Sequence, residues 1–222
     1  MACYLESPER EPMLDLFLKY GAEINVENGL GETLIFAFIN GEFYDAVDLI
    51  HELCERGASA SRQNNDGFTP LHLCQPSEDM VKVLLDNDAD VHIQNMYGHT
   101  NIFDYTGVRP LTNLVVTGNY DAVKLLIDHG AEPDYKLANG KTNLHSAAIY
   151  GHATIVKLLL KHGVDLGIKE HNGSTAWDME KGKECREILA RWARRHNQES
   201  QLSGRKDPDA VDEISDGSGS EN

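Results

Sequence analysis

Ten histidines and four cysteines in an acid-rich chain of 222 residues supply many of the side chains that bind metals or act as nucleophiles, so their spacing decides what they can do. His51-Glu52-Leu53-Cys54-Glu55 opens like the helical zinc-protease motif, in which two imidazoles one turn apart face a single ion. Glu55 stands where the second imidazole belongs, so the pair is missing. Asp86, Asp88 and Asp90 have the alternating spacing that opens an EF-hand loop. That loop then needs glycine at its sixth place and glutamate at its twelfth, where this chain has Val91 and Tyr97. No P-loop, G-x-S-x-G elbow or dinucleotide fingerprint is present. Cys3, Cys54, Cys74 and Cys185 are scattered, with no C-x-x-C pair, which is the pattern of reduced thiols. Nothing favours a cysteine–histidine nucleophile, and a free cysteine is most often a small core hydrophobe. The expectation is a protein that is not an enzyme and uses no metal or cofactor.

The bulk composition narrows the class further. A hydrophobic fraction of 41% is enough to build a core, which argues against global disorder. The formal charge of -16, from 36 acids against 20 Lys and Arg, repels phosphate backbones, so no nucleic-acid partner is expected. No apolar run reaches membrane-spanning length, and Met1-Ala2-Cys3-Tyr4-Leu5-Glu6 lacks the basic and apolar regions of a signal peptide. These features predict a cytoplasmic or nuclear protein with no membrane partner.

The elements that position these residues repeat. Gly67-Phe68-Thr69-Pro70-Leu71-His72 returns as Gly140-Lys141-Thr142-Asn143-Leu144-His145, and more faintly at Gly31-Glu32-Thr33 and Gly173-Ser174-Thr175. Thr69 is a good helix N-cap, and Pro70 suits the first helical position, where its missing N–H costs nothing. A second apolar helix follows in each unit, as in Val81-Lys82-Val83-Leu84-Leu85 and Val156-Lys157-Leu158-Leu159-Leu160. Gly57, Gly130 and Gly163 end that helix in the left-handed conformation. Asp66-Gly67, Asn139-Gly140 and Asn172-Gly173 are expected at tight hairpin tips. One unit is therefore helix, turn, helix, hairpin.

Departures from the period carry information. The caps at Gly21, Gly57, Asp88, Gly130 and Gly163 are 36, 31, 42 and 33 residues apart. The unit starting at Gly31 is expected to lengthen its second helix by about a turn, through His51–Arg56. The unit starting at Gly67 loses two residues around Gln75-Pro76-Ser77, with Ser77 as replacement N-cap. Nine extra residues fall near Gly98–Arg109, where the phrase starts twice, as Gly98-His99-Thr100-Asn101-Ile102 and as Gly107-Val108-Arg109-Pro110-Leu111. They form either an extended finger or an aborted first helix. Asp88 stands where other units have glycine, so a positive φ is expected there.

The phrase resembles the ankyrin repeat, most completely in residues 140–172, where Gly140, Thr142, Leu144, His145, Gly151, His152, Val156, Leu158, Leu159 and Gly163 fall in register. The resemblance implies an all-α solenoid of helix-turn-helix-hairpin units, about four internal repeats between degenerate caps. The units are read as 1–30, 31–66, 67–97, 98–139 with the insertion, 140–172 and 173–196, followed by a disordered acidic tail over 197–222. It implies that His72 and His145 are buried hydrogen-bonding struts. It also implies that a protein partner binds the concave side, formed by hairpin tips and first helices. The positions free to contact that partner are Phe68, Met96, Tyr97, His99, Ile149 and Tyr150, with Phe103 and Tyr105 added by the insertion. Ile102, Phe103 and Tyr105 have the alternative of folding under the insertion as a satellite core.

The function expected is a monomeric, non-enzymatic interaction module acting as adaptor, scaffold or inhibitor. Two other roles remain open. One is a substrate-recruiting subunit of a ubiquitin ligase or another multi-subunit enzyme, although residues 193–222 show no Leu-rich or Cys-rich docking box. The other is an acidic regulator that masks a basic nuclear partner. Within the tail, Ser218 with Glu221 resembles an acidophilic kinase site.

Overall fold

A computed structural model describes residues 15–16, 18–41, 45–74, 77–96 and 107–195. Asp15, Leu16, Leu18 and Lys19 are helical, and ten helices follow among the described residues: α1 (Leu34–Asn40), α2 (Ala46–Glu55), α3 (Pro70–Leu73), α4 (Glu78–Asp86), α5 (Pro110–Thr117), α6 (Tyr120–Asp128), α7 (Asn143–Tyr150), α8 (Ala153–Lys161), α9 (Ala176–Met179) and α10 (Lys183–Arg195). Odd-numbered helices stack on one another in one row and even-numbered helices in a second row, with the two rows packed together. No single unit can bury its apolar face alone, so burial comes from the neighbours. The result is one continuous core, running from Ile35 and Ile50 through Leu84, Leu114 and Leu126 to Leu159 and Leu189.

Local chemistry explains the helix boundaries. Ser77 caps α4, its hydroxyl accepting the Met80 N–H at 3.3 Å, as expected of a unit that has lost two residues. Gly57, Gly130 and Gly163 have φ of +94°, +88° and +80°. Asp88 shares that conformation at φ +60° and is the one positive-φ non-glycine among the described residues. An L side chain in that region costs on the order of 1 kcal/mol. Asp88→Gly relieves this strain and removes one acid from the Asp86–Asp90 cluster, while giving back some unfolded-chain entropy. The expected outcome is a gain of up to about 1 kcal/mol, read as a melting temperature raised by about 2–4 °C. A lower melting temperature contradicts the strain argument.

One sequence expectation is corrected. Helix α2 has 10 residues against 9 in α4, α6 and α8, so its helix is longer by a single residue and not by a turn. The remaining extra length lies between the helices: Asp45 caps α2 twelve residues after Thr33, whereas His152 caps α8 ten after Thr142.

The histidine struts are present in two units. The Thr69 N–H donates to His72 Nδ1 at 3.0 Å, and the Thr69 hydroxyl lies 2.8 Å from the same nitrogen. Nδ1 therefore accepts, the ring proton sits on Nε2, and Nε2–H donates to the Val108 carbonyl of the next unit at 3.0 Å. His145 repeats the pattern with Thr142 and reaches Ser174 O at 3.2 Å. Phe36 takes the histidine position in one unit and Thr112 in another, and in those units the hydroxyls of Thr33 and Thr112 are buried without a partner. Asp178 replaces the imidazole in the last unit, accepting from the Thr175 N–H and hydroxyl, both at 2.9 Å.

Burial pushes the His72 imidazole down to about 4, opposed in part by its bond to Val108, and lowers His145 in the same way. As pH falls below the ordinary histidine value of about 6.5, the unfolded chain takes protons that the buried rings refuse. The stability these rings contribute is thus complete above about pH 6.5 and is lost as pH falls toward 4. His72 alone is expected to remove about 2 kcal/mol by pH 5. Urea midpoints should fall between pH 7.5 and pH 5, and the slope should flatten in His72→Gln/His145→Gln. An equal slope in that variant refutes the assignment.

Candidate interaction surface

A backbone hydrogen bond joins neighbouring hairpin tips at three steps of the array. The Asn65 N–H donates to Leu30 O at 2.9 Å, the Met96 N–H to Asp66 O at 3.1 Å and the His171 N–H to Asn139 O at 3.0 Å. Gln63 Nε2 bridges two tips, donating to Gly67 O at 2.8 Å and to Gln94 O at 3.0 Å. Behind the tips runs a second ladder. The Ser59 N–H donates to Asn25 Oδ1 and the Asp90 N–H to Ser61 Oγ, both at 2.8 Å. The Asp134 carboxyl accepts from the Asp165 backbone, and its pKa is nevertheless raised because burial outweighs that bond. The tips therefore form a ratcheted edge whose outward side chains project from a fixed backbone.

The base of the insertion is well defined. The Asn95 N–H donates to Val108 O at 3.0 Å, and the Val108 N–H returns to Asn95 Oδ1 at 2.9 Å. The neighbouring tip is closed by the same pairing of Asn64 with Phe68, at 2.9 and 3.0 Å. Gly107, with φ +76°, holds the tip-glycine position, and Pro110 starts α5. Of the two starts in the sequence, the second leads into α5, and the first lies outside the described residues, between Met96 and Gly107. Tyr135 steadies this base, its hydroxyl donating to Gly107 O at 2.7 Å. Arg109 lies 4.0 Å over the Tyr135 ring and pairs with Glu132 at 2.9 Å. An arginine where other units have threonine is thereby used to clamp the insertion, not to cap the helix with a hydroxyl.

The expected contact residues fall into three groups. Phe68 is half-buried, its ring edge-on to His72 at 5.7 Å, and so contributes only part of its surface. Met96 stands on the adjacent tip and is 68% exposed. The two meet through Gly67, since a Cβ there would lie 2.5 Å from Met96 N. Ile149 and Tyr150 form the second group, at the C-terminal end of α7. Ile149 is half-buried and Tyr150 is 40% exposed. The Tyr150 ring stacks on His152 at 6.2 Å, and His152 Nε2 donates to Val116 O of the preceding unit at 3.0 Å. Val116, at the position equivalent to Ile149, joins this patch half-buried. Sequence reasoning passed over it because valine in that place reads as core. Leu30, 63% exposed on a tip that bonds to Asn65, was also missed. The third group, Tyr97, His99, Phe103 and Tyr105, lies outside the described residues, as do Ile102, the opening helix of the first unit and the acidic tail.

The candidate metal residues are placed differently. His51 Nε2 lies 3.5 Å from Glu55, one turn along α2, and its Nδ1 is 3.3 Å from Asn87. No group of three or more His, Cys, Asp or Glu suited to a metal ion occurs among the described residues. Cys74 and Cys185 are buried, and burial raises both thiols, Cys74 most strongly. These thiols are therefore protonated packing groups near neutral pH.

A family model for ankyrin repeats (3 copies) matches residues 1–95 and 96–176. The chain belongs to the ankyrin-repeat family. It is 34% identical over 127 residues to a putative ankyrin repeat protein of fowlpox virus, covering 55% of this chain and 35% of that protein. It is 30% identical over 147 residues to a putative ankyrin repeat protein of Acanthamoeba polyphaga mimivirus, covering 59% of this chain and 25% of the relative. A serine/threonine-protein kinase of Arabidopsis thaliana is 32% identical over 88 residues, which is 39% of this chain and 17% of the kinase. The chain thus spans about a third or less of the curated relatives it matches. Ankyrin repeats are protein-protein interaction modules, and repeat homologues of this kind are generally non-catalytic. No helix among the described residues is long and apolar enough to cross a membrane.

Proposed function

We propose that this ankyrin array binds another protein through its hairpin tips and inner-helix ends, with the insertion between Met96 and Gly107 at the centre of that surface. The observation that carries the reading is the position of Met96, a flexible apolar side chain 68% exposed on a tip whose backbone is fixed by Asp66 O. Exposed Met and aromatic groups on a rigid frame suit an interface, because they desolvate large area at low entropic cost. A pre-stacked array also loses little freedom on association. Tyr97, His99, Phe103 and Tyr105 of the insertion are the proposed partner contacts, together with Phe68 beside Met96 and Ile149 with Tyr150 on the inner helices. The protein acts as a monomeric adaptor, scaffold or competitive inhibitor in the cytoplasm or nucleus. Affinity capture from native lysate, run for the wild type beside Phe103→Ala/Tyr105→Ala, tests the insertion. Loss of a protein from the folded variant is expected, and an unchanged set overturns the insertion's role.

A further inference from the structure

The charge of this chain is unevenly distributed. Residues 1–129 hold 21 acids against 7 Lys and Arg, a net -14. Residues 130–196 hold 8 acids against 11 Lys and Arg, a net +3, and residues 197–222 hold 7 against 2, a net -5. The outer helices follow the same gradient. Asp48 and Glu55 on α2, Glu78, Asp79 and Asp86 on α4, and Asp121 and Asp128 on α6 are exposed, against Lys82 and Lys124, whereas α8 and α10 expose Lys157, Lys161, Lys183, Arg191, Arg194 and Arg195 against Glu184 and Glu187.

Helix α10 has a second distinguishing feature. Helices α4, α6 and α8 each pack between two other outer helices, whereas among the described residues the close outer-helix neighbour of α10 is α8. It buries Cys185, Leu189, Ala190 and Ala193 in that contact. Ile188, Arg191, Trp192 and Arg195 recur at helical spacing along the border of that buried face, with Ile188 and Trp192 half-buried against the core and both arginines exposed. None of the ion pairs among the described residues involves Arg191, Arg194 or Arg195. A strip of partly covered apolar surface is thus flanked by arginines at the basic end of the array.

We propose that this face of α10 is the docking site for the chain's own acidic segment, residues 207–216. That segment, Asp-Pro-Asp-Ala-Val-Asp-Glu-Ile-Ser-Asp, carries five carboxylates and no Lys or Arg, with Val211 and Ile214 three residues apart. Val211 and Ile214 match the apolar strip of Ile188 and Trp192, and the carboxylates match its arginine borders. Reach is ample. The ten residues 197–206 span at most about 36 Å, and the 13-residue helix is about 20 Å long. The acidic first 129 residues repel the segment, so electrostatics direct it to the one positively charged stretch of the array. Covalent attachment supplies an effective concentration that an external acidic peptide must exceed to displace it.

The test uses the full chain and the Trp192 indole N–H as a reporter in 1H–15N spectra. The comparison is with a variant in which Asp207, Asp209, Asp212 and Asp216 become Asn and Glu213 becomes Gln. At 20 mM salt the Trp192 indole signal and the Arg191–Arg195 amides should differ between the two proteins, and at 500 mM salt they should converge. A second variant, Arg191→Glu/Arg195→Glu, should reproduce the shifts of the neutralised tail, and combining it with Lys at the five tail positions should restore the wild-type response. Superimposable α10 signals in wild type and neutralised variant at both salt concentrations overturn the proposal. So does a difference that vanishes on dilution, because the face is then covered by the tail of a second copy.

Discussion

Leu126→Ala should cost the array about 2–5 kcal/mol, the range for removing a fully buried leucine from a core that relaxes only partly. Leu126 is completely buried on α6, the central outer helix, which packs against α4 on one side and α8 on the other. Each unit draws its stability from its neighbours, so a cavity here weakens two interfaces together. The expected urea transition is shifted and also broadened, because the units before and after α6 begin to melt separately. Leu125→Ala, at a half-buried neighbouring position, should cost less than half as much and leave the transition sharp. Equal effects of the two substitutions contradict the stacked arrangement of α4, α6 and α8.

Gly67→Ala should be comparably damaging, for two separable reasons. Its φ of +78° costs an L residue about 1–2 kcal/mol. An added Cβ would also lie 2.5 Å from Met96 N, a backbone atom of the next tip that cannot rotate away. Relieving that overlap displaces the tip and endangers the bond from Met96 N–H to Asp66 O, at a further cost of about 1–3 kcal/mol. Gly57→Ala isolates the first term, since Gly57 has φ +94° and nothing within 4 Å of the added carbon. Chemical denaturation of both variants should show Gly67→Ala as the more destabilised by about 1–3 kcal/mol. If the two are equal, the tips do not pack as described and the proposed binding edge is not rigid.

Much of this architecture is readable from local chemistry. The role of Ser77 follows from a deletion that removes the end of one helix and leaves a hydroxyl at the start of the next. The strain at Asp88 follows from its place in a row of glycines. The double start at Gly98 and Gly107 is different, because Gly-His-Thr-Asn-Ile and Gly-Val-Arg-Pro-Leu are both acceptable locally. The decision comes from the preceding unit, through His72 Nε2 reaching Val108 O and Asn95 pairing with Val108. The sequence places the extra length of this unit in the second helix, through His51–Arg56, whereas that helix gains one residue and the rest falls between Asn40 and Asp45. Among exposed apolar side chains, Met96 and Tyr150 are recognisable from register. Val116 and Leu30 are not, since the exposure of an aliphatic side chain depends on what the neighbouring unit leaves uncovered.

The central claim, that a partner docks on the tip and inner-helix surface, is tested most directly by site-specific photocrosslinking. A photoreactive amino acid is placed at Met96 or at Tyr150, and for comparison at Asp121 or Lys157, which are exposed on the outer helices α6 and α8. The account predicts that Met96 and Tyr150 yield a crosslink to the same partner protein and that Asp121 and Lys157 yield none. Crosslinks confined to Asp121 and Lys157 would place the partner on the outer helices and contradict the account.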